Sequence, residues 1–275
     1  MLVIPGVLVA VGQQENCEDK KRDEPVRLYA AENFMASGIA NDMGNISDEA
    51  GRTKSVSSFK STDETALLST CVTIKFDTLV NTNPDSITVD FGATNCMGND
   101  GRNRRGKLQI IYTGKYKDSL NTITITPINY FVNDNKVSGS KVIKNLGHNS
   151  QGHLLYSLKE DLVIQKADGS GNITFSAQRY REWMSGESTV VWIDDVYSIT
   201  GSASGTNANG RSFTSNITKA LIRKMDIGCR KYFVSGIIEH TPAQKATRKL
   251  DFGDGTCDNK AVLTINGKEY QIDLQ

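Results

Sequence analysis

Residues 90–96, DFGATNC, and residues 251–257, DFGDGTC, carry the same Asp-Phe-Gly-x-x-x-Cys phrase, with cysteine six positions after aspartate in each. The agreement extends outward on both sides. Upstream, Cys71 and Cys229 each open an apolar run; downstream, KLQIIYTG at 107–114 corresponds to KAVLTING at 260–267, the first copy having the longer intervening loop, Met97 to Gly106. Three agreements in the same order argue for an internal duplication, with units near residues 71–114 and 229–267.

Within and between these units the apolar residues recur with a period near two. Cys71–Phe76, Ile87–Phe91, Lys107–Tyr112 and Thr122–Thr126 read as strands, as do Leu162–Gln165, Ile173–Ala177, Val196–Thr200, Lys219–Arg223, Tyr232–Ile238 and Ala261–Ile265. Gly, Asn and Asp separate them, and no long helical segment alternates with them. Antiparallel meander connections are therefore expected rather than a parallel sheet with crossover helices. Weaker echoes, Val137-Ser-Gly-Ser, Ile199-Thr-Gly-Ser and Val234-Ser-Gly, look like successive hairpins of one extended sheet. The fold class expected is all-β, an antiparallel meander or sandwich built on a duplicated unit, with one N-terminal α-helix.

That helix comes from a different periodicity. Leu28, Ala31, Met35, Ile39, Met43, Ile46 and Ala50 step by three or four, between Pro25 and Gly51 as start and stop signals, with Gly38 and Gly44 weakening the middle. The stripe is read as packing on the edge or face of a sheet. The chain divides accordingly into residues 1–24, an export-signal remnant and tether; 25–60, the helix and a Ser/Thr/Lys-rich linker; and 61–275, the β-rich region.

The first twelve residues, MLVIPGVLVAVG, resemble the hydrophobic part of an export signal and are too few to span a bilayer. Cys17 follows, then the charged run Glu18 to Glu24, read as a disordered tether. Cys17 sits where a lipoprotein carries its lipid, although Gln14, Glu15 and Asn16 depart from the small residues that usually precede such a cysteine. The other four, Cys71, Cys96, Cys229 and Cys257, allow three pairings. The duplication favours Cys71 with Cys96 and Cys229 with Cys257, because each pair brackets one copy. Such loops of about 25 residues contribute about 3 kcal/mol each by chain entropy.

With these residues in view, the chain resembles a group of uncharacterised lipoproteins from Bacteroidetes-type bacteria. The matching text is Asp-Phe-Gly followed by Asn95-Cys96, then Asn99-Asp100-Gly101-Arg102 with Arg105-Gly106-Lys107 and Tyr112-Thr113-Gly114, and Asp254-Gly-Thr-Cys-Asp-Asn259 near the end. The resemblance covers roughly residues 70 to 275. It implies a location in the cell envelope and no assigned activity.

Signals for chemistry are sparse. Lys plus Arg number 32 against 31 for Asp plus Glu, so no global field recruits nucleic acid. Asp-Phe-Gly lacks the phosphate loop, strand lysine and His-Arg-Asp loop of a kinase. Asp194 and Asp195, with Glu182 and Glu187 nearby, are the candidate carboxylates of a glycoside hydrolase, though neighbours on a strand face opposite ways. Asp251, Asp254, Asp258 and Asn259, and in the other copy Asn95, Asn99 and Asp100, gather oxygens without EF-hand spacing, and His148, His153 and His240 complete no zinc set. No catalytic residue, metal or cofactor is assigned. Arg102, Arg104, Arg105 and Lys107 form the densest basic cluster, a candidate contact for anionic envelope glycans or lipids. The functional expectation is a non-enzymatic envelope lipoprotein, anchored to the outer membrane through Cys17, periplasmic or surface-exposed, with a structural or ligand-binding role. Alternatives are an apolar-ligand carrier with a curved-sheet groove and, more weakly, a carbohydrate-active hydrolase.

Overall fold

Along residues 154–165 the side chains of Leu154, Tyr156, Leu158, Glu160, Leu162 and Ile164 are buried, while Lys159, Asp161, Val163 and Gln165 face solvent. Such alternation makes one face of a strand the covered face. Repeated along the chain, it yields one N-terminal helix followed by a 14-stranded antiparallel sheet. The computed structural model describes residues 17–53, 68–77, 85–189, 191, 193–230 and 232–274, with helix side chains from 32 to 51.

Helix α1 spans Cys17–Thr53. The first strands are β1 (Thr73–Phe76), β2 (Asp85–Asp90), β3 (Cys96–Met97), β4 (Asn103–Tyr112) and β5 (Thr122–Val132). The long central ones are β6 (Asn135–His148), β7 (Leu154–Gln165), β8 (Asn172–Ser185), β9 (Val196–Thr206) and β10 (Ser212–Lys224). Then follow β11 (Ser235–Pro242), β12 (Arg248–Asp254), β13 (Lys260–Ile265) and β14 (Lys268–Asp273). Each strand pairs with the next in sequence, except that β2 pairs with β4 and the short β3 adds to β4 from the side. The expected meander is present as one continuous sheet. Two hairpins turn on residue pairs that both have positive φ, Asn133-Asp134 and Asn266-Gly267, the backbone of a two-residue turn matched to strand twist.

The duplicated units lie at the two ends of this path, β1-β2-β4 and β11-β12-β13. In both, the phenylalanine is buried, Phe91 beside Tyr130 and Phe252 edge-on to Phe233. The glycine that follows has φ of 80° in Gly92 and 90° in Gly253, and its N–H donates to the preceding aspartate at 2.9 and 3.0 Å. Only glycine adopts that backbone at little cost, which accounts for the repeated Asp-Phe-Gly as a bend. Disulfides join Cys71 to Cys96 and Cys229 to Cys257, with Cα atoms 5.9 and 4.8 Å apart. The copies differ in register. Asp90 faces Lys107, whereas Asp251 faces Val262, two residues beyond Lys260. A shift of two preserves the inward face.

The Ser-Gly and Thr-Gly echoes have a structural meaning. Gly139, Gly201 and Gly236 have φ of 105°, 115° and 113°, and a Cβ on them would fall 2.0, 2.3 and 2.3 Å from carbonyl oxygens of Asp161, Gln178 and Ala220 on the adjacent strand. The neighbouring backbone occupies the space of a side chain at each point. Glycines at such close approaches let a sheet bend sharply across its strands.

What the sheet bends around is α1. From residue 32 to 51 every side chain is buried apart from the half-buried Phe34, Met35 and Glu49. Ile39, Met43, Ile46 and Ala50 join the apolar core, as the helical stripe predicted, with Ala36 and Ala40 beside them and Met35 packed at its margin. The polar face is buried as well, including Asn33, Ser37, Asn41, Asp42, Asn45 and Asp48. Its partners come from widely separated strands: Tyr112 on β4 bonds Ser47, Arg179 on β8 bonds Ser37, and His240 on β11 accepts from Asn33. The helix is thus enclosed by the sheet rather than laid on it, because inward-facing polar groups of the strands satisfy its polar side. It also extends further than the stripe implied. Residues 18–24, read as a disordered tether, are helical, and Pro25 lies inside α1. The export-signal remnant, most of the linker, and the side chains of Cys17, Leu28 and Ala31 lie outside the described residues.

Candidate functional site

The inward face of the sheet is unusually charged. Arg104 (β4), Lys141 (β6), Glu160 (β7), Arg179 and Arg181 (β8), Arg223 (β10), His240 (β11) and Arg248 (β12) are all buried. Between residues 32 and 51 the helix contributes Glu32, Asp42, Asp48 and Glu49 and no Lys or Arg. Cations therefore sit mainly on the sheet and carboxylates on the helix. Buried charges persist only when paired and hydrogen-bonded.

On one side of the interior the buried cations are engaged by carboxylates or aromatic rings. Arg104, 1% exposed, donates Nε and Nη2 to Asp42 at 2.9 and 2.6 Å, and Nη1 and Nη2 to Asp100 at 2.9 and 2.6 Å. Burial alone would lower the guanidinium pKa, but hydrogen bonds to Asp100 and Asp42 raise it above its usual value. Lys141 crosses the helix at Gly44, where a Cβ would meet its Cε at 3.3 Å, and donates to Glu160 at 2.6 Å. Arg179 lies 3.6 Å from the other Glu160 oxygen. Burial pushes that carboxyl up, and the Lys141 and Arg179 charges hold it below the ordinary range. Arg181 stands among the rings of Tyr116, Tyr156 and Tyr197, 5.0 to 5.8 Å from their centroids, and donates to the Tyr116 hydroxyl.

This geometry places the residues singled out by sequence. Of the basic cluster, Arg104 points inward. Arg102 lies 3.4 Å from Asp42, Arg105 pairs with Asp134 over the Phe131 ring, and Lys107 lies 2.9 Å from Asp90. All four are thus held beside carboxylates rather than grouped as a free cationic patch. Asp195 is buried and accepts from Trp183 Nε1 at 3.1 Å and the Tyr197 hydroxyl at 3.0 Å, whereas Asp194 accepts from Thr189 in the preceding turn. Glu182 is bonded to His153 and Asn149, and Glu187 to His148. Each of these four acids is thus engaged by its own set of neighbours. In the Cys257 loop, Asp254 accepts from Thr256 and Asp258 from the Lys260 N–H, both within local turns.

On the far side of the interior a different arrangement appears. Ser215, His240 and Arg248 form a cross-strand row on β10, β11 and β12, all facing inward. His240 also lines a shallow, open pocket with room for about one water molecule, together with Asn207, Phe213, Pro242 and Lys245. The sequence carried a signal for these groups. Each sits at an inward position of an alternating strand, as Glu160 sits between Leu158 and Leu162, and Arg179 and Arg181 between Ala177 and Trp183.

Two disulfides mark an extracytoplasmic protein, since such bonds persist in oxidising compartments. Among the described residues no helix is long and apolar enough to cross a membrane. No protein-family model, curated protein or solved structure matches the chain.

Proposed function

We propose that this protein is a non-enzymatic lipoprotein of the cell envelope, tethered through Cys17, in which a rigid helix-filled sheet serves a structural or ligand-binding role. The observation that carries this reading is the enclosure of α1. The concave face, where a curved sheet would hold an apolar ligand, is taken up by Ala36, Ile39, Met43 and Ile46 of the chain itself. Its interior carboxylates are engaged with arginine, lysine, tyrosine and tryptophan, an arrangement suited to holding shape. The resemblance to Bacteroidetes-type lipoproteins and the two disulfides support the envelope. Metabolic labelling with a fatty acid tests the anchor. Label is expected on the full chain and lost in Cys17→Ala, and protease added to intact cells then distinguishes a surface from a periplasmic location. An unlabelled wild-type chain would overturn the lipoprotein reading.

A further inference from the structure

Arg248 is 4% exposed, yet among the described residues its Nε and Nη1 have no hydrogen-bond partner and no carboxylate forms an ion pair with it. Beside it, His240 is equally buried. Its Nδ1 accepts from Asn33 at 3.3 Å, which leaves the proton of a neutral ring on Nε2, and Nε2 is unpartnered. Ser215 Oγ, on the other side of His240 in the same row, is unpartnered too. Asn207 completes the set. Its Oδ1 accepts from the N–H groups of Asn209 and Arg211, which orients the amide so that Nδ2 is the atom left over.

Four buried side chains thus present unused donors in one neighbourhood, and two of them, His240 and Asn207, line the pocket with Lys245 at its rim. The nearby acid, Glu32, is already engaged by Lys166 and the Ala208 N–H. Burying an arginine without a counter-charge costs several kcal/mol. Desolvation lowers the pKa of Arg248, and burial together with the Arg248 charge pulls His240 down to about 4. Elsewhere in this interior Arg104, Lys141 and Arg179 each have their carboxylate, Arg181 is held among three tyrosine rings, and Arg223 donates to the Arg230 carbonyl. A surplus of positive charge and donors, open to solvent on one side, is the complement of an oxyanion.

We propose that the row Ser215–His240–Arg248, together with Asn207, is an anion-binding site that takes a carboxylate or phosphate group entering past Lys245. Phe213, whose ring lies 5.4 Å from that of His240, and Pro242 give the pocket an apolar wall for the body that carries the anion. The site stands independently of the lipid anchor. It is tested on the full chain, labelled with ¹⁵N, titrated separately with sodium phosphate and sodium acetate at ionic strength fixed by sodium chloride. A saturable shift of the Arg248 Nε–H and His240 ring signals is expected in at least one arm, and the arm that saturates identifies the anion class. Arg248→Met should weaken that binding roughly tenfold or more, and Ser215→Ala about fivefold, the ordinary worth of charge-assisted and neutral hydrogen bonds. No saturable shift in either arm, or undiminished binding in Arg248→Met, overturns the proposal. If Arg248→Met does not fold, Ser215→Ala decides, and unchanged binding there is equally fatal.

Discussion

Arg104 and Arg248 are the same residue type, equally withdrawn from water, facing the same enclosed helix from opposite parts of one sheet, yet their surroundings are opposite. Arg104 has two carboxylates, Asp42 from the helix and Asp100 from its own loop; Arg248 has none among the described residues. The first arrangement knits the helix to the sheet. The second leaves charge unspent where a pocket opens. Structural charge and charge kept for a ligand are thus told apart by accounting for partners, since burial alone makes them identical.

The sharpest way to break this comparison is to remove a partner. Asp42→Ala should destabilise the protein by about 3 kcal/mol, the lower end for breaking a buried pair because Asp100 remains on Arg104. A loss under about 1 kcal/mol in denaturant unfolding would mean that the pairing holds little. Next in size are the clamps. The bridges close loops of 25 and 28 residues, so each is expected to contribute about 3 kcal/mol. With both reduced, hydrogen exchange should rise first in β11 to β14, the end away from the Arg104 and Glu160 ion pairs, and later in β4 to β8. Uniform loss of protection would erase the distinction between the two ends.

Acid offers a third probe. His240 has its pKa lowered from 6.5 to about 4 by burial and by Arg248. Between those values the unfolded chain binds the proton and the folded one does not. The stability this residue permits is therefore full above pH 6.5 and falls as pH drops towards 4, by up to about 3 kcal/mol. Unfolding measured at pH 7 and pH 5 should show a smaller drop in His240→Gln than in wild type, and an equal drop would remove His240 from the account. Bound anion should shrink the same drop by favouring the charged ring. The smallest effect is also the most diagnostic. Arg248→Met in anion-free buffer should leave thermal stability unchanged or raise it by about 1 kcal/mol, the reverse of Asp42→Ala.

The meander, the duplication and both disulfide pairings could be read from the sequence because each is a matter of spacing. Period-two runs and a phrase repeated with its flanks need no knowledge of what lies across the fold. The fate of the helix's polar face was not legible in that way. Asn33, Ser37 and Asp42 look solvent-facing until His240, Arg179 and Arg104, distant in sequence, are brought against them. The basic cluster was only partly legible for a related reason. Counting back by twos from Ile110 and Leu108 turns Arg104 inward, but its basic neighbours Arg102, Arg105 and Lys107 grouped it with them as one cluster. Nearly balanced composition hid the sorting of positive charge to the sheet and negative charge to the helix. It also hid the placing of Arg248 on an inward strand position without a carboxylate among the described residues.

The enclosure of α1 bears on how the chain reaches its native state. Strand pairing here is almost entirely between sequence neighbours, so the sheet can grow by local zipping, with little loop-closure entropy at each addition. The contacts of high contact order are those of the helix, such as Asn33 with His240, 207 positions away, and Glu32 with Ala208, 176 positions away. Synthesis delivers the helix first and its last partners far later. The helix is therefore placed to act as a mandrel onto which strands wind in order, and the closure that brings β11 against Asn33 carries the largest loop-closure cost.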